Sequence, residues 1–292
     1  MHQPIFSLEV FPPKRDAAVG TIYDTLDGLE ELEPDFISVT YGTGRQSDRT
    51  ATARICRTIR QGYGISAVAH LTAQYSDEGV VREALDMFEQ AGVSAVLLLR
   101  GDCVQGRKPA GVFTHACDLI AYVRRTKPNL RISAACYPET HPEAVSPAED
   151  IRHLKEKVDA GADHLISQLF YDNEDFMRFL DRAREAGVCV PIEAGIMPIT
   201  KAAQVRRMSS TCGFRIPPAA ERLLDKWGGD TEALQEAGIA YASQQISDLV
   251  AQGADGIHLY SMNQPVVTRR IWRNVRALFA KVPCDQLELG KS

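Results

Sequence analysis

Short apolar runs alternate with amphipathic stretches along most of the chain. In four places an amphipathic stretch ends in Ala-Gly or Gln-Gly and is soon followed by an apolar run, with the glycines at Gly92, Gly161, Gly187 and Gly253. Glycine is favoured just after a helix C-terminus, where the backbone adopts a left-handed conformation. The repeated order of helix, glycine and buried strand predicts βα units arranged around a parallel sheet.

The apolar runs predict eight strands, and the amphipathic stretches between them predict helices. The strand ranges are 5–11, 35–41, 65–71, 94–100, 130–137, 163–170, 190–197 and 255–261. Two helical stretches open with a serine, Ser76 and Ser146, and we expect each hydroxyl to cap its helix. The segment 199–253 is long enough to hold extra helices before the last strand.

This number of units decides between two α/β architectures. Eight βα units in roughly 280 residues favour a closed (β/α)₈ barrel over an open doubly wound sheet. The chain shows no linker, charge block or low-complexity tract. We therefore expect one α/β barrel domain over residues 1–292, with extra helices before the last strand and no regulatory domain.

Composition and charge exclude several classes of protein. The 292 residues are 45% hydrophobic and carry a formal net charge of −5, which gives no basic footprint for nucleic acid or an anionic membrane. The seven cysteines include no CxxC pair, which favours reduced thiols. No signal-peptide pattern and no run of 18 apolar residues is present. These features favour a cytoplasmic enzyme.

Common cofactor and metal motifs are missing from the sequence. The segment GTGRQS (42–47) begins like a dinucleotide-binding GxGxxG motif, but Ser47 replaces the last glycine. The sequence has no GxxxxGK[ST], HExxH or GxSxG motif and no paired Cys/His zinc spacing, and its seven histidines are isolated. A metal site is not expected.

Polar residues gather where the predicted strands end. Active sites of (β/α)₈ barrels lie at the C-terminal ends of the strands, and a purely structural barrel has no need of polar groups there. The residues at these ends are Glu9, Thr40, Tyr41, His70, Thr72, Arg100, Asp102, Tyr137, Glu139, His141, Gln168, Tyr171, Tyr260 and Asn263. We therefore predict a functional site at this end of the barrel.

Glu9 stands inside an otherwise apolar strand. Alternation places it on the same face as Ser7 and Phe11, opposite Leu8 and Val10. A buried carboxyl group must be paired or protonated, and a protonated carboxyl is what a general acid near neutral pH requires. The pattern alone leaves two interpretations open, a general acid or a structural carboxylate paired with an Arg or Lys.

Three other candidates also have structural interpretations. Asp102 could belong to a solvated turn in which it pairs with Arg100, and His141 could be a hydrogen-bonded loop residue. Lys157 could lie on a solvated helix face. Residue type and spacing alone do not decide among these readings.

An ordered set of motifs covers nearly the whole chain. It comprises FSLEVFPPK (6–14), SVTYG (38–42), AHLT (69–72), LRGD (99–102), YPETHPE (137–143), SQLFYD (167–172), GIMP (195–198), FRIP (214–217) and HLYSMN (258–263). Each motif is weak alone, but the set in this order resembles the methylenetetrahydrofolate reductase family, bacterial catalytic-domain type. The resemblance implies a (β/α)₈ barrel that binds FAD and reduces 5,10-methylenetetrahydrofolate to 5-methyltetrahydrofolate with NADH or NADPH. It implies ping-pong hydride transfer through FAD, in one-carbon metabolism and methionine synthesis.

The resemblance also implies roles for individual residues. Glu9 matches the general acid that protonates N10 of the folate, and Asp102 matches an acid that contacts the pterin and influences the flavin. Gln168 matches an amide that contacts folate and nicotinamide in turn, and Gln204 resembles a second folate contact. Thr40 resembles a contact on the nicotinamide side.

The implied FAD-binding set is larger. It comprises Thr40, Tyr41, Thr43, His70, Arg100, Gly101, Asp102, Ala116, Tyr137, His141, Ala144, Asp150, His153, Glu156 and Lys157. Arg100 and Lys157 are suited to a pyrophosphate. Asp150, His153 and Lys157 are spaced i, i+3, i+7, so they share one helix face and could line one ligand.

Four residues depart from the family pattern. Glu156 stands where an Arg is expected and His153 where an Asn is expected, both on the adenosine side of the FAD site. Met208 replaces a Phe. Gln264 replaces an Arg on the substrate side, where the folate tail is expected to bind.

Two alternative functions stay open at this point. One is another FAD-dependent barrel oxidoreductase of the proline dehydrogenase type, and the other is a non-redox, pterin-binding methyltransferase module. A visible flavin spectrum would exclude the second. The expected partners are small-molecule folate and nicotinamide substrates, without nucleic acid or membrane, in a homo-oligomer. The sequence does not choose between NADH and NADPH, and we expect no inhibition by S-adenosylmethionine.

Overall fold

Eight parallel strands pair in chain order, and the last pairs with the first, so the sheet closes into a barrel. The computed structural model describes residues 3–13, 20–41, 49–102, 106 and 108–280. The strands are β1 (Ile5–Val10), β2 (Phe36–Val39), β3 (Ala67–Thr72), β4 (Ala95–Leu99), β5 (Arg131–Cys136), β6 (His164–Ser167), β7 (Ile192–Ile196) and β8 (Gly256–Tyr260). Each predicted strand is confirmed, and the predicted (β/α)₈ architecture is correct.

Ten α-helices surround the barrel in the part of the chain that the structure describes. They are α1 (Gly20–Asp27), α2 (Arg49–Gly62), α3 (Glu78–Gln90), α4 (Ala116–Thr126), α5 (Pro147–Asp159), α6 (Asn173–Glu185), α7 (Ala202–Cys212), α8 (Pro218–Trp227), α9 (Thr231–Ala251) and α10 (Pro265–Val275). Three of them, α7 to α9, lie between β7 and β8, which confirms the extra helices predicted there. Within the described ranges, none is long and apolar enough to cross a membrane.

Helix ends follow the sequence signals, with one exception. Gly92, Gly161, Gly187 and Gly253 all have positive φ, between 77° and 118°, as predicted. Ser146 caps α5 by accepting a hydrogen bond from Glu149 N at 3.2 Å.

The predicted cap at Ser76 is wrong. Asp77 caps α3 instead and accepts from Val80 N at 2.8 Å. The Ser76 hydroxyl donates backwards to Thr72 O at 2.8 Å, so it is already satisfied by the strand end that precedes the helix.

The main core lies between the barrel and its helices. Phe6, Leu8 and Val10 point outward from β1 and are at most 2% exposed. The Phe6 ring stacks on Trp272 of α10 with ring centroids 4.2 Å apart. Burying one such side chain contributes about 1.5–3 kcal/mol, so this outer layer stabilises the closed barrel and fixes the strand faces. Ser7 and Glu9, on the opposite face, consequently point inward.

A second apolar cluster supports the C-terminal end of the barrel. Leu169 and Tyr171 after β6 pack with Met197 and Ile199 after β7 and with side chains of α7 to α9. Helix α9 approaches closely, since a Cβ added at Gly238 would lie 1.8 Å from Ile199 O. The loops after β6 and β7 are thereby held in place next to the predicted site.

Candidate active site

The loops that follow the strands surround a cavity of about 1200 Å³ at the C-terminal end of the barrel. A site for one small molecule has a volume of roughly 300–1,000 Å³. This cavity therefore has room for a long cofactor with a second ligand beside it. Its position at the strand C-termini is the one predicted from the sequence.

Sixteen of the residues to which the family resemblance gives a role line this cavity. They are Glu9, Thr40, Tyr41, His70, Arg100, Gly101, Asp102, Ala116, Tyr137, His141, Ala144, Asp150, His153, Glu156, Lys157 and Gln168. Gln204 and Gln264 are absent from the lining; Gln264 instead donates to Thr200 Oγ1 at 3.3 Å. Met208 and Asn263, close to them in sequence, do line the cavity. Thr43 lies outside the described residues.

Glu9 lies at the floor of the cavity and is 6% exposed. Its Oε2 atom is 3.4 Å from Ser38 Oγ, 3.4 Å from His70 Nε2 and 3.6 Å from His258 Nε2. Burial lowers the pKa of His70 to about 4, although the nearby Glu9 acts in the opposite direction, so this imidazole is neutral at physiological pH. In the described part of the chain, the ion-pair neighbours of Glu9 are histidines, which disfavours the structural pairing with an Arg or Lys.

The backbone around Glu9 is tied to the segment that follows β8. Ser261 N donates to Glu9 O at 3.3 Å, and the side-chain amide of Asn263 bonds both Phe11 N (2.9 Å) and Phe11 O (2.8 Å). Met262 and Asn263 have φ of 50° and 53°, a left-handed conformation that is uncommon outside glycine. Such strained backbone is typical of functional sites, and here it turns the Asn263 side chain back onto β1.

Two cationic side chains lie on the cavity wall. Arg100 makes a bidentate ion pair with Glu143, at 2.5 and 2.7 Å, and this interaction lowers the Glu143 pKa. Lys157 Nζ donates to Ala135 O at 2.6 Å, and burial lowers the Lys157 pKa. Lys157 therefore does not belong to a solvated helix face. Both groups are placed to bind an anion such as a phosphate.

Two residues on α5 that differ from the family pattern, His153 and Glu156, both contact Arg152. Arg152 Nη1 donates to Glu156 Oε1 at 2.5 Å, and Arg152 Nη2 lies 2.9 Å from His153 Nε2. The negative charge of Glu156 is thus balanced from the adjacent helical turn. Arg152 itself is not among the residues that line the cavity.

Three polar groups shape the rest of the wall. Asp150 Oδ2 accepts from His141 N at 2.9 Å and so fixes the loop after β5. Gln168 Oε1 accepts from Leu169 N at 2.9 Å, which orients the side-chain N–H groups as donors toward a ligand. Tyr260 OH donates across the barrel to Ser167 O at 2.8 Å.

Asp102 lies exposed on the rim of the cavity. After burial, Asp102 contributes to the raised pKa values of Tyr137, which follows the neighbouring strand β5, and of Cys212 at the end of α7. A cationic or electron-poor ligand between these groups would be stabilised by the same field.

The sequence interpretation missed the polar residues beneath Glu9. Ser7, Glu193 and His258 are fully buried on the inner face of the barrel. The sequence signal for these residues was a polar position within an otherwise apolar strand: Ser7 in FSLEV, Glu193 in PIEAG and His258 in GIHLY. The described residues contain no group of three or more His, Cys, Asp or Glu that could hold a metal ion.

Two kinds of comparison place the chain among known proteins. The family model described as methylenetetrahydrofolate reductase matches residues 1–276. The 5,10-methylenetetrahydrofolate reductases of Pectobacterium carotovorum subsp. carotovorum and Escherichia coli (strain K12) are each 34% identical over 259 residues. Those matches cover 88% of this chain and 85% and 86% of the relatives. A rice protein described as a probable methylenetetrahydrofolate reductase (NADH) is 32% identical, over 89% of this chain and 46% of its own length.

Solved structures share the barrel at low sequence identity. A Clostridium thermocellum protein described as binding two copies of 5-methyl-5,6,7,8-tetrahydrofolic acid has a TM-score of 0.65 at 14% identity, covering 95% of this chain and 96% of that one. A Coxiella burnetii dihydropteroate synthase in complex with pteroic acid has a TM-score of 0.52 at 11% identity, with 96% and 94% coverage. These likenesses show the fold. The family match and the two bacterial relatives show more, and the chain belongs to the methylenetetrahydrofolate reductase family.

Proposed function

We propose that this chain reduces 5,10-methylenetetrahydrofolate to 5-methyltetrahydrofolate, with hydride from NADH or NADPH carried by FAD. The observation that carries the proposal is the placement of Glu9, a buried carboxyl on the floor of a large cavity with histidine neighbours. The names of the bacterial relatives support the substrate. The rice relative's name supports a nicotinamide as the reductant.

Glu9 supplies the proton that the reaction requires. The methylene bridge of the folate must open before its carbon can accept hydride, and opening needs a proton on the departing N10 amine. A protonated carboxyl at the cavity floor can donate that proton. Asp102, across the cavity rim, stabilises the positive charge that develops on the opened folate.

The residues on the wall fit a flavin dinucleotide. Arg100 and Lys157 are placed for the diphosphate, provided that Arg100 shares or exchanges its bond with Glu143. The cavity volume of about 1200 Å³ accommodates the cofactor together with one substrate. When bound, FAD supplies a two-electron carrier that takes hydride from the nicotinamide and later passes it to the folate.

One cleft serves both substrates in this proposal. Gln168 and Thr40 line the same cavity as Glu9 and Asp102. The nicotinamide and the folate would therefore occupy the space beside the flavin in turn, which is the ping-pong order. The side-chain donors of Gln168 are placed to orient each of them.

The test follows bound flavin through the two half-reactions separately. Denatured protein should release about one FAD per chain, and anaerobic NADH or NADPH should bleach the flavin absorbance. Methylenetetrahydrofolate should then restore the absorbance, with 5-methyltetrahydrofolate as the product. A folded protein that takes up no FAD, or whose reduced flavin is not reoxidised by the folate, would contradict the proposal. Turnover with proline would favour the alternative flavin barrel.

A further inference from the structure

A column of polar side chains runs down the inside of the barrel beneath Glu9. It consists of His258 on β8, Ser7 on β1 and Glu193 on β7, each with 0% exposure. The interior of such a barrel is usually filled by branched apolar side chains. Burying an ionisable group is costly unless its hydrogen-bonding atoms are satisfied. The presence of these polar residues in the barrel interior therefore requires an explanation.

Close contacts link the column from end to end. The Ser7 hydroxyl donates to Glu193 Oε2 and lies 2.6 Å from His258 Nδ1. On its other edge, His258 Nε2 faces Glu9 Oε2 at 3.6 Å, just beyond hydrogen-bond distance, and has no hydrogen-bond partner among the described residues. Glu193 Oε1 lies 2.8 Å from His164 Nε2.

The direction of these bonds fixes the proton positions. The Ser7 hydroxyl donates to Glu193 Oε2, so the Ser7 proton points toward Glu193. The Ser7 oxygen must then accept from His258 Nδ1–H. In a neutral imidazole, protonation of Nδ1 leaves a lone pair on Nε2, the atom that faces Glu9. The lone pair faces Glu9 Oε2 at 3.6 Å, so it favours a protonated Glu9 and would repel an ionised one.

We propose that Glu193, acting through Ser7 and His258, holds Glu9 in the protonated form before folate reduction. Glu193, Ser7 and His258 are positioning residues, and the inference rests on the proposed role of Glu9 as the general acid. The column reaches Glu9 from below, so it acts while the ligands occupy the cavity above.

The other groups that face Glu9 are consistent with this assignment. They are Ser38 on β2, His70 on β3 and Tyr260 on β8. Burial keeps the pKa of His70 low and raises the Tyr260 pKa well above its ordinary value, so both are neutral near pH 7. Among the described side chains, the contacts of Glu9 therefore include no permanent cation that would favour its ionised form.

Nitrogen NMR of histidine-labelled protein tests the proton positions without any substrate. Between pH 6 and 8, His258 should carry its proton on Nδ1 and none on Nε2, with the signal assigned by its loss in His258→Gln. Ser7→Ala and Glu193→Gln should abolish this preference. Thr25→Ala is the matched control, because Thr25 is another buried residue with a hydroxyl group, and that hydroxyl donates within α1 to Thr21 O, away from the column. It should leave the His258 tautomer unchanged.

Stopped-flow kinetics then connect the tautomer to catalysis. In Ser7→Ala, the folate half-reaction at pH 7.5 should slow by about tenfold, and the pH above which it declines should fall by about one unit. Reduction of the flavin by NADH or NADPH should match wild type. Thr25→Ala should keep the wild-type pH profile.

Two results would overturn the inference. One is a wild-type His258 that carries a proton on Nε2, and the other is the same pH profile in Ser7→Ala and Thr25→Ala. Failure of the proposed function looks different: wild-type protein would form no 5-methyltetrahydrofolate, whatever the His258 tautomer.

Discussion

The two faces of the barrel strands differ sharply in chemistry. The outer face of β1 and its neighbours carries Leu8, Ile37, Leu71 and Leu98, all at most 1% exposed within one apolar core. The inner face carries Ser7, Ser38, Ser133, Glu193 and three histidines (His70, His164 and His258), with a small apolar cluster of Val68, Leu97 and Ile166 among them. The outer face has the composition of a stabilising core, and the inner face does not.

This difference separates stability from function within each strand. Neighbouring residues such as Leu8 and Glu9 point to opposite faces, so one change affects packing and the next affects the cavity. An apolar layer can be extensive because its interactions are non-directional, whereas a polar interior requires each donor to meet an acceptor. We infer that packing on the outer face stabilises the closed barrel and that the polar groups on the inner face serve its activity.

The largest expected effect is at Glu9 on the inner face. Glu9→Gln keeps the size of the side chain and removes the acid. Reoxidation of reduced flavin by methylenetetrahydrofolate should fall by on the order of 10²–10⁴, the usual contribution of a positioned general acid. Flavin reduction by NADH or NADPH needs no such proton and should stay within about tenfold of wild type. Stopped-flow absorbance follows both steps in one preparation.

The control for Glu9→Gln is Glu174→Gln, which removes an exposed carboxylate on α6. It should change neither step. Equal losses in the two half-reactions of Glu9→Gln would falsify the general-acid role and favour a structural carboxylate.

Leu8 provides the matching test on the outer face. Leu8→Ala leaves a void in the main core, so the free energy of unfolding should fall by about 2–5 kcal/mol. The folded fraction should keep both half-reaction rates within about twofold, because Leu8 points away from the cavity. Urea denaturation measures the stability loss, with Val145→Ala, at a residue 90% exposed, as the control. A rate loss like that of Glu9→Gln would show that the two faces are not separable.

The difference between faces also explains what the sequence could predict. Strand positions and the inward direction of Glu9 follow from local patterns, the glycine after each helix and the alternation within FSLEV. The contact between Ser7 and Glu193 joins residues 186 positions apart, and no local pattern specifies it. The position of Gln264 depends on how the segment before α10 turns, and its side chain bonds Thr200. Local sequence patterns predict which face of a strand a side chain occupies. Contacts between residues far apart in sequence are determined only when the barrel closes.

Burial of His70 should make the protein less stable in mild acid. Burial lowers the pKa of His70 to about 4, so between pH 6.5 and 4 the unfolded chain binds more protons than the folded one. The His70 contribution is fully present above pH 6.5 and decreases as the pH falls through this range. The expected loss by pH 4 is on the order of 3 kcal/mol.

Urea denaturation at pH 7.5, 6, 5 and 4 measures this dependence. His70→Gln should flatten the curve between pH 6.5 and 4, while the acid response due to carboxylates stays. A variant curve parallel to that of wild type would show that His70 is not buried as a neutral group.

The smallest expected effect concerns Asp102, which belongs to neither face but to the cavity rim. Its carboxylate lines the cavity and contributes, after the larger effect of burial, to the raised pKa values of Tyr137 and Cys212. A negative charge near a flavin disfavours the addition of electrons. Asp102→Asn should therefore retain FAD and raise its reduction potential by on the order of 30 mV, which equals about 1.4 kcal/mol for two electrons. Asp181→Asn, the same charge change at an exposed position on α6, should leave the potential unchanged. Dye-equilibration titrations of both variants measure this, and an equal or lower potential in Asp102→Asn would mean that the rim carboxylate acts on the folate alone.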